Sequence, residues 1–94
     1  MKWIALIAVA SLAMIASGAA SAQQELAQKS GCLNCHAADT KKVGPSFKEI
    51  AAKYKGKSDA EAKLIEEIST GKGHPAVKAS PDDVKSLVKW VLAM

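Results

Sequence analysis

The chain has 94 residues, with thirteen lysines against nine acids and no arginine, for a formal net charge of +4. A nucleic-acid partner is disfavoured by that set, because bidentate phosphate and base contacts lean on arginine and no basic cluster is interleaved with stacking aromatics. No nucleophile stands with a partnered base and no pair of acids is placed for acid–base work, so the residues give no support to an enzyme of that kind.

After Lys2 no side chain is charged from Trp3 to Gln24, and the stretch closes on Ala20-Ser21-Ala22. A charged start, an apolar middle and small residues before a cut site describe a secretory signal peptide. About 20 apolar residues could also span a bilayer as an uncleaved anchor, but the Ala and Ser content and the Ala-x-Ala end fit cleavage after Ala22. Residues 1–22 are therefore expected to be a cleaved signal and residues 23–94 one exported, periplasmic domain. Nothing after Gln24 could cross a membrane. Such a domain is at the size where a single core is marginal. Its three aromatic residues, Phe47, Tyr54 and Trp90, add little bulk, and a large flat apolar cofactor would fill the gap.

The first helix is expected over about Gln24 to Gly31. Next comes Cys32-Leu33-Asn34-Cys35-His36, in which two thiols three apart can each bond a vinyl group of one haem while the adjacent imidazole ligates its iron. This spacing reads as c-type haem attachment, one haem c with its iron. Two other readings use the same residues. A redox-active or disulfide Cys pair has the same spacing but gives His36 no task and wants a βαβ context. A zinc site would take four ligands, which Cys32, Cys35, His36 and His74 could supply.

Helix starts are marked further along. Ser46 with Glu49 and Ser58 with Glu61 have the Ser-x-x-Glu form of a capping box. Ser80-Pro81-Asp82-Asp83 is a third start, with proline at the first helical position and two acids at the positive end of the helix dipole. The second helix offers Phe47, Ile50, Ala51 and Tyr54 to a core, and the third offers Leu64, Ile65 and Ile68 before stopping ahead of Gly71. In the last helix Val84, Leu87, Val88, Val91 and Leu92 recur at helical spacing, with Trp90 at the edge of that stripe. The expectation is an all-α fold of about four helices.

The chain resembles the short bacterial monohaem class I cytochromes c over nearly all of residues 23–94. Gly31 to His36 is similar to the family's haem-binding segment, Val43-Gly44-Pro45-Ser46-Phe47 to the loop that follows it, and Lys89-Trp90-Val91-Leu92 to its terminal helix. The resemblance implies His36 as proximal iron ligand and Pro45 as acceptor for the other ring nitrogen of that histidine. It also implies that Trp90 and the terminal helix pack across the first helix near Gly31, close to the cofactor.

The family's distal methionine has no counterpart in the loop from Gly71 to Ala79. His74 precedes Pro75 where the family has methionine before proline, so the resemblance implies His74 as the distal ligand. Lys78 or Met94 would need a rearrangement to serve. A methionine–histidine pair raises the potential of a haem, so a histidine pair implies a low-potential one-electron carrier. The alternative is an open or dissociable distal site that binds a small ligand or acts on peroxide. Lys41, Lys42, Lys48, Lys53, Lys55 and Lys57 face only Glu49 in their stretch, and they are expected to steer redox proteins with acidic surfaces.

Overall fold

The computed structural model describes residues 21–94, so all but the last two residues of the expected signal segment lie outside the described residues. Among the described residues four helices form: α1, covering residues 21–29, α2 from Phe47–Tyr54, α3 from Ala60–Thr70 and α4 from Pro81–Leu92. A single turn of 3-10 helix spans Cys32–Asn34. No strand occurs among the described residues beyond one isolated bridge between His36 and Lys41. The fold is all-α, as expected, and none of its helices is long and apolar enough to cross a membrane among the described residues.

The last helix organises the domain, because α4 packs against both α2 and α3. Of its apolar stripe, Val84, Leu87 and Val88 are buried, while Val91 and Leu92 are half-buried. Burying each such side chain contributes about 1.5–3 kcal/mol relative to leaving it in water. Phe47 and Ala51 of α2 and Ala60 of α3 complete this core, and Ala27 belongs to it from α1. Gln23 ties α1 to α4 by donating its side-chain amide to Ser86 Oγ at 2.7 Å.

Two of the three expected caps form. Ser46 Oγ accepts from the backbone N–H of Glu49 at 3.1 Å, and Ser80 Oγ accepts from that of Asp83 at 3.2 Å. The third differs: α3 starts after Asp59 rather than Ser58, and no side chain caps it. The backbone is still turning there, with the N–H of Ala60 bonded to the carbonyl of Lys57 at 3.2 Å. The first helix likewise ends at 29, two residues short of the expected Gly31.

The two working caps differ in burial, since Ser46 is 1% exposed and Ser80 is open to solvent. In Ser46→Ala the N–H of Glu49 loses its acceptor beside the core, so a cost of about 1–2 kcal/mol is expected. Ser80→Ala should cost less, about 0.5–1 kcal/mol, because water reaches the freed group. Denaturant unfolding of the two haem-loaded variants measures the contrast, and equal costs would remove the role assigned to burial.

Candidate functional site

The helices and the segment around the cysteines line a half-open cavity of about 810 Å³. Phe47, Ile50, Leu64, Ile68, Leu87 and Val88 are among its apolar lining. Four of the seven buried hydrophobic residues of the described chain, Phe47, Val84, Leu87 and Val88, face this space. Much of the core is thus a shell around a cavity, of the size at which small-molecule and cofactor sites occur, about 300–1,000 Å³.

The turn at Cys32–Asn34 brings Cys32, Cys35 and His36 to that cavity together. The backbone N–H groups of Cys35 and His36 both bond to the carbonyl of Cys32, at 3.2 and 3.0 Å. Gly31 starts the turn with φ +87°, a left-handed value that costs a side-chain-bearing residue dearly. The expected close approach of α4 to Gly31 is not what requires glycine there. The nearest atom to a Cβ built on it is Nδ2 of Asn34 at 3.7 Å, an ordinary contact, so the constraint is the dihedral.

Both thiols are half-buried. Burial pushes the Cys32 thiol above its ordinary value, against a smaller opposing effect of its backbone hydrogen bond. A redox-active Cys pair needs the reverse, a thiol lowered toward the thiolate. A four-ligand zinc cage also finds no geometry, because no three His, Cys, Asp or Glu side chains among the described residues converge as a metal cluster.

His36 is held on three sides. Its Nδ1 lies 2.6 Å from the carbonyl oxygen of Pro45, which makes that nitrogen the N–H donor and leaves Nε2 with the lone pair a metal needs. Phe47 stacks beside the ring at 5.4 Å between centres. On the remaining side is the backbone of Gly44, where a Cβ would come within 2.6 Å of Cε1 and 3.1 Å of Nδ1. That backbone cannot retreat easily, because the N–H of Gly44 bonds to the carbonyl of Cys35 at 2.8 Å and that of Phe47 to Ala37 at 2.9 Å. Sequence reasoning gave Gly44 no task of its own. The available signal was a glycine two residues ahead of Ser46 in a loop that must return to an imidazole.

His74 lines the same cavity, half-buried, with its Nδ1 2.7 Å from the carbonyl oxygen of Pro75. Its ring is parallel to that of His36 within 9°, and the ring centres are 6.1 Å apart. Of the other expected residues, Pro45 and Lys78 line the cavity. Trp90 does not. Its ring meets Phe47 edge-on at 5.6 Å and so backs the wall from behind. Met94, 40% exposed at the chain end, is also away from the cavity.

The fit to a c-type haem rests on these features: an apolar cavity of cofactor size, two thiols at one edge, and a histidine oriented by Pro45. Gly44→Ala is expected to displace the His36 ring and stretch its bond to Pro45, destabilising the haem-loaded protein by about 1–3 kcal/mol as overpacking does. Thermal unfolding together with the visible spectrum tests it, and an unchanged midpoint would show that the ring has room to spare.

Comparison with known proteins bears on the fold and the cofactor. The cytochrome c family profile matches residues 20–94. The chain is 39% identical to cytochrome c-552 of Nitrosomonas europaea, over 90% of each chain. It is 40% identical to cytochrome c-551 of Pseudomonas aeruginosa, over 85% of each. Among solved structures, the class 1 cytochrome MtoD of Sideroxydans lithotrophicus superposes with a TM-score of 0.70 at 41% identity, covering 78% of this chain and 92% of that one. Wild-type N. europaea cytochrome c552 gives a TM-score of 0.65 at 40% identity, covering 73% and 95%. With the Cys-x-x-Cys-His turn opening onto a cofactor-sized cavity, these likenesses make the chain a member of the cytochrome c family, of the small class I type, binding one covalent haem c.

Proposed function

We propose that this protein is an exported, periplasmic one-electron carrier of low potential, with His36 and His74 as the two axial ligands of its haem iron and Cys32 and Cys35 as the covalent attachments. The bound haem supplies a one-electron iron couple. The chain would hold it and orient its ligands. Export is supported by the leader, charged only at Lys2 and ending in Ala20-Ser21-Ala22.

The observation that carries the reading is the pairing of the two imidazoles. Two imidazoles holding one metal from opposite sides, each at about 2.0–2.1 Å, would have ring centres about 6.3 Å apart. The rings of His36 and His74 are 6.1 Å apart and parallel within 9°. Each also gives its Nδ1 to a proline carbonyl, at 2.6 and 2.7 Å, so the two Nε2 atoms are the ones left for a metal. Such a hydrogen bond strengthens a histidine as a ligand. An imidazole in place of a thioether favours ferric over ferrous iron, hence the low potential.

The basic stretch supports docking onto acidic redox proteins. Lys41, Lys42, Lys48, Lys53, Lys55 and Lys57 are all exposed. Lys48 is tied to Asp39, and Lys53 and Lys57 lie over the Tyr54 ring at 5.3 and 5.7 Å. Val43, 83% exposed and at the rim of the cavity, adds an apolar contact beside these charges. Long-range attraction brings partners together, and a small apolar patch lets them part quickly.

Low-temperature electron paramagnetic resonance and near-infrared spectra of the oxidised protein, beside His74→Ala, test the ligation. A low-spin bis-imidazole signal in the parent that is lost in the variant is expected, whereas a high-spin signal in both would refute it. His74→Met should raise the midpoint potential if methionine reaches the iron. For docking, Lys53→Gln combined with Lys55→Gln should slow electron transfer to an acidic partner several-fold at low salt. The difference should vanish at high salt, and rates insensitive to both changes would place the contact elsewhere.

A further inference from the structure

The cavity wall contains one acidic residue among its described lining, Glu67 of α3. Its side-chain Cδ lies 3.8 Å from where a Cβ on Gly73 would stand, so the carboxyl group borders the loop position immediately before His74. Neither ion pair among the described residues involves it. The other charged groups of the wall are Lys29, Lys53 and Lys78, all exposed, whereas Glu67 is half-buried. Charge in water is heavily screened, while charge withdrawn from water acts across the low-dielectric interior. The acid therefore counts for more at the cavity than the number of lysines suggests.

We infer that Glu67 is a potential-setting residue, whose carboxylate beside the His74 loop favours the oxidised iron over the reduced one. It touches neither the iron nor the electron, and it acts through the field it imposes on the site. The inference deepens the low-potential reading above: ligand identity sets the range, and Glu67 lowers the value within it. Adding an electron reduces the positive charge at the iron, so a nearby negative charge opposes reduction.

The test is the midpoint potential of the haem-loaded protein at neutral pH for the parent, Glu67→Gln, Glu67→Asp and Glu66→Gln. Glu66 is an exposed neighbour on the same helix that does not line the cavity. Glu67→Gln is expected to favour reduction about threefold to tenfold, a rise of about 30–60 mV for a one-electron couple. Glu66→Gln should move it much less, and Glu67→Asp, which keeps the charge, should stay near the parent. High salt should leave most of the Glu67→Gln shift in place. Equal shifts in the two Gln variants, or no shift in Glu67→Gln, would overturn the assignment. So would a shift accompanied by a changed resonance spectrum, which would make it a ligand effect. The parent's spectrum reports the His74 ligation separately, so failure of one reading is distinguishable from failure of the other.

Discussion

The short contact between His36 Nδ1 and the Pro45 carbonyl determines which way the site faces. It fixes the tautomer, and so decides that Nε2 is the nitrogen available to a metal. It also requires the loop after the cysteines to fold back onto the segment it left. Gly44 makes that return possible by lacking a side chain where His36 lies, and Ser46 follows at once by capping α2. Phe47, the first residue of that helix, then reaches both His36 on one side and Trp90 of α4 on the other. The orientation of the His36 ring is thereby linked to the packing of the terminal helix.

Much of this was legible in the sequence because the signals were local. A Cys-x-x-Cys-His run, a Ser-x-x-Glu cap, a Ser-Pro start and the stripe of Val84, Leu87 and Val88 each depend on a few neighbouring residues. The structure brings Cys32, Cys35, His36, Pro45 and His74 to one cavity. What the sequence did not convey depends on through-space distance. The role of Gly44 exists only because an imidazole eight residues earlier lies against it. Glu67 reads in sequence as one more exposed acid on a helix, and only the folded chain turns it toward the cavity. Trp90 shows the converse. Its place in the terminal segment suggested contact with the cofactor, yet Phe47 stands between it and the cavity.

The missing cap at Ser58 shows a limit of motif reading. The pattern Ser-x-x-Glu requires the chain to enter the helix in extended conformation, as it does at Ser46 and Ser80, with ψ of 156° and 159°. At Asp59 the entry is already helical, with ψ of −8°. The turn from Lys57 to Ala60 carries the chain into α3 instead, and no side chain caps its first N–H groups. The same four letters therefore serve two different backbones, and the residues between Lys55 and Asp59 decide which.

The hollow centre has a consequence for biogenesis. Phe47, Val84, Leu87 and Val88 form both the buried core and the wall of the cavity, so an empty chain would have little to gain from closing its helices on one another. Both thiols are already half-buried in the closed form, where an attaching enzyme would reach them poorly. The turn at Cys32–Asn34 is closed by its own backbone hydrogen bonds to the Cys32 carbonyl and needs nothing from the terminal helix to form.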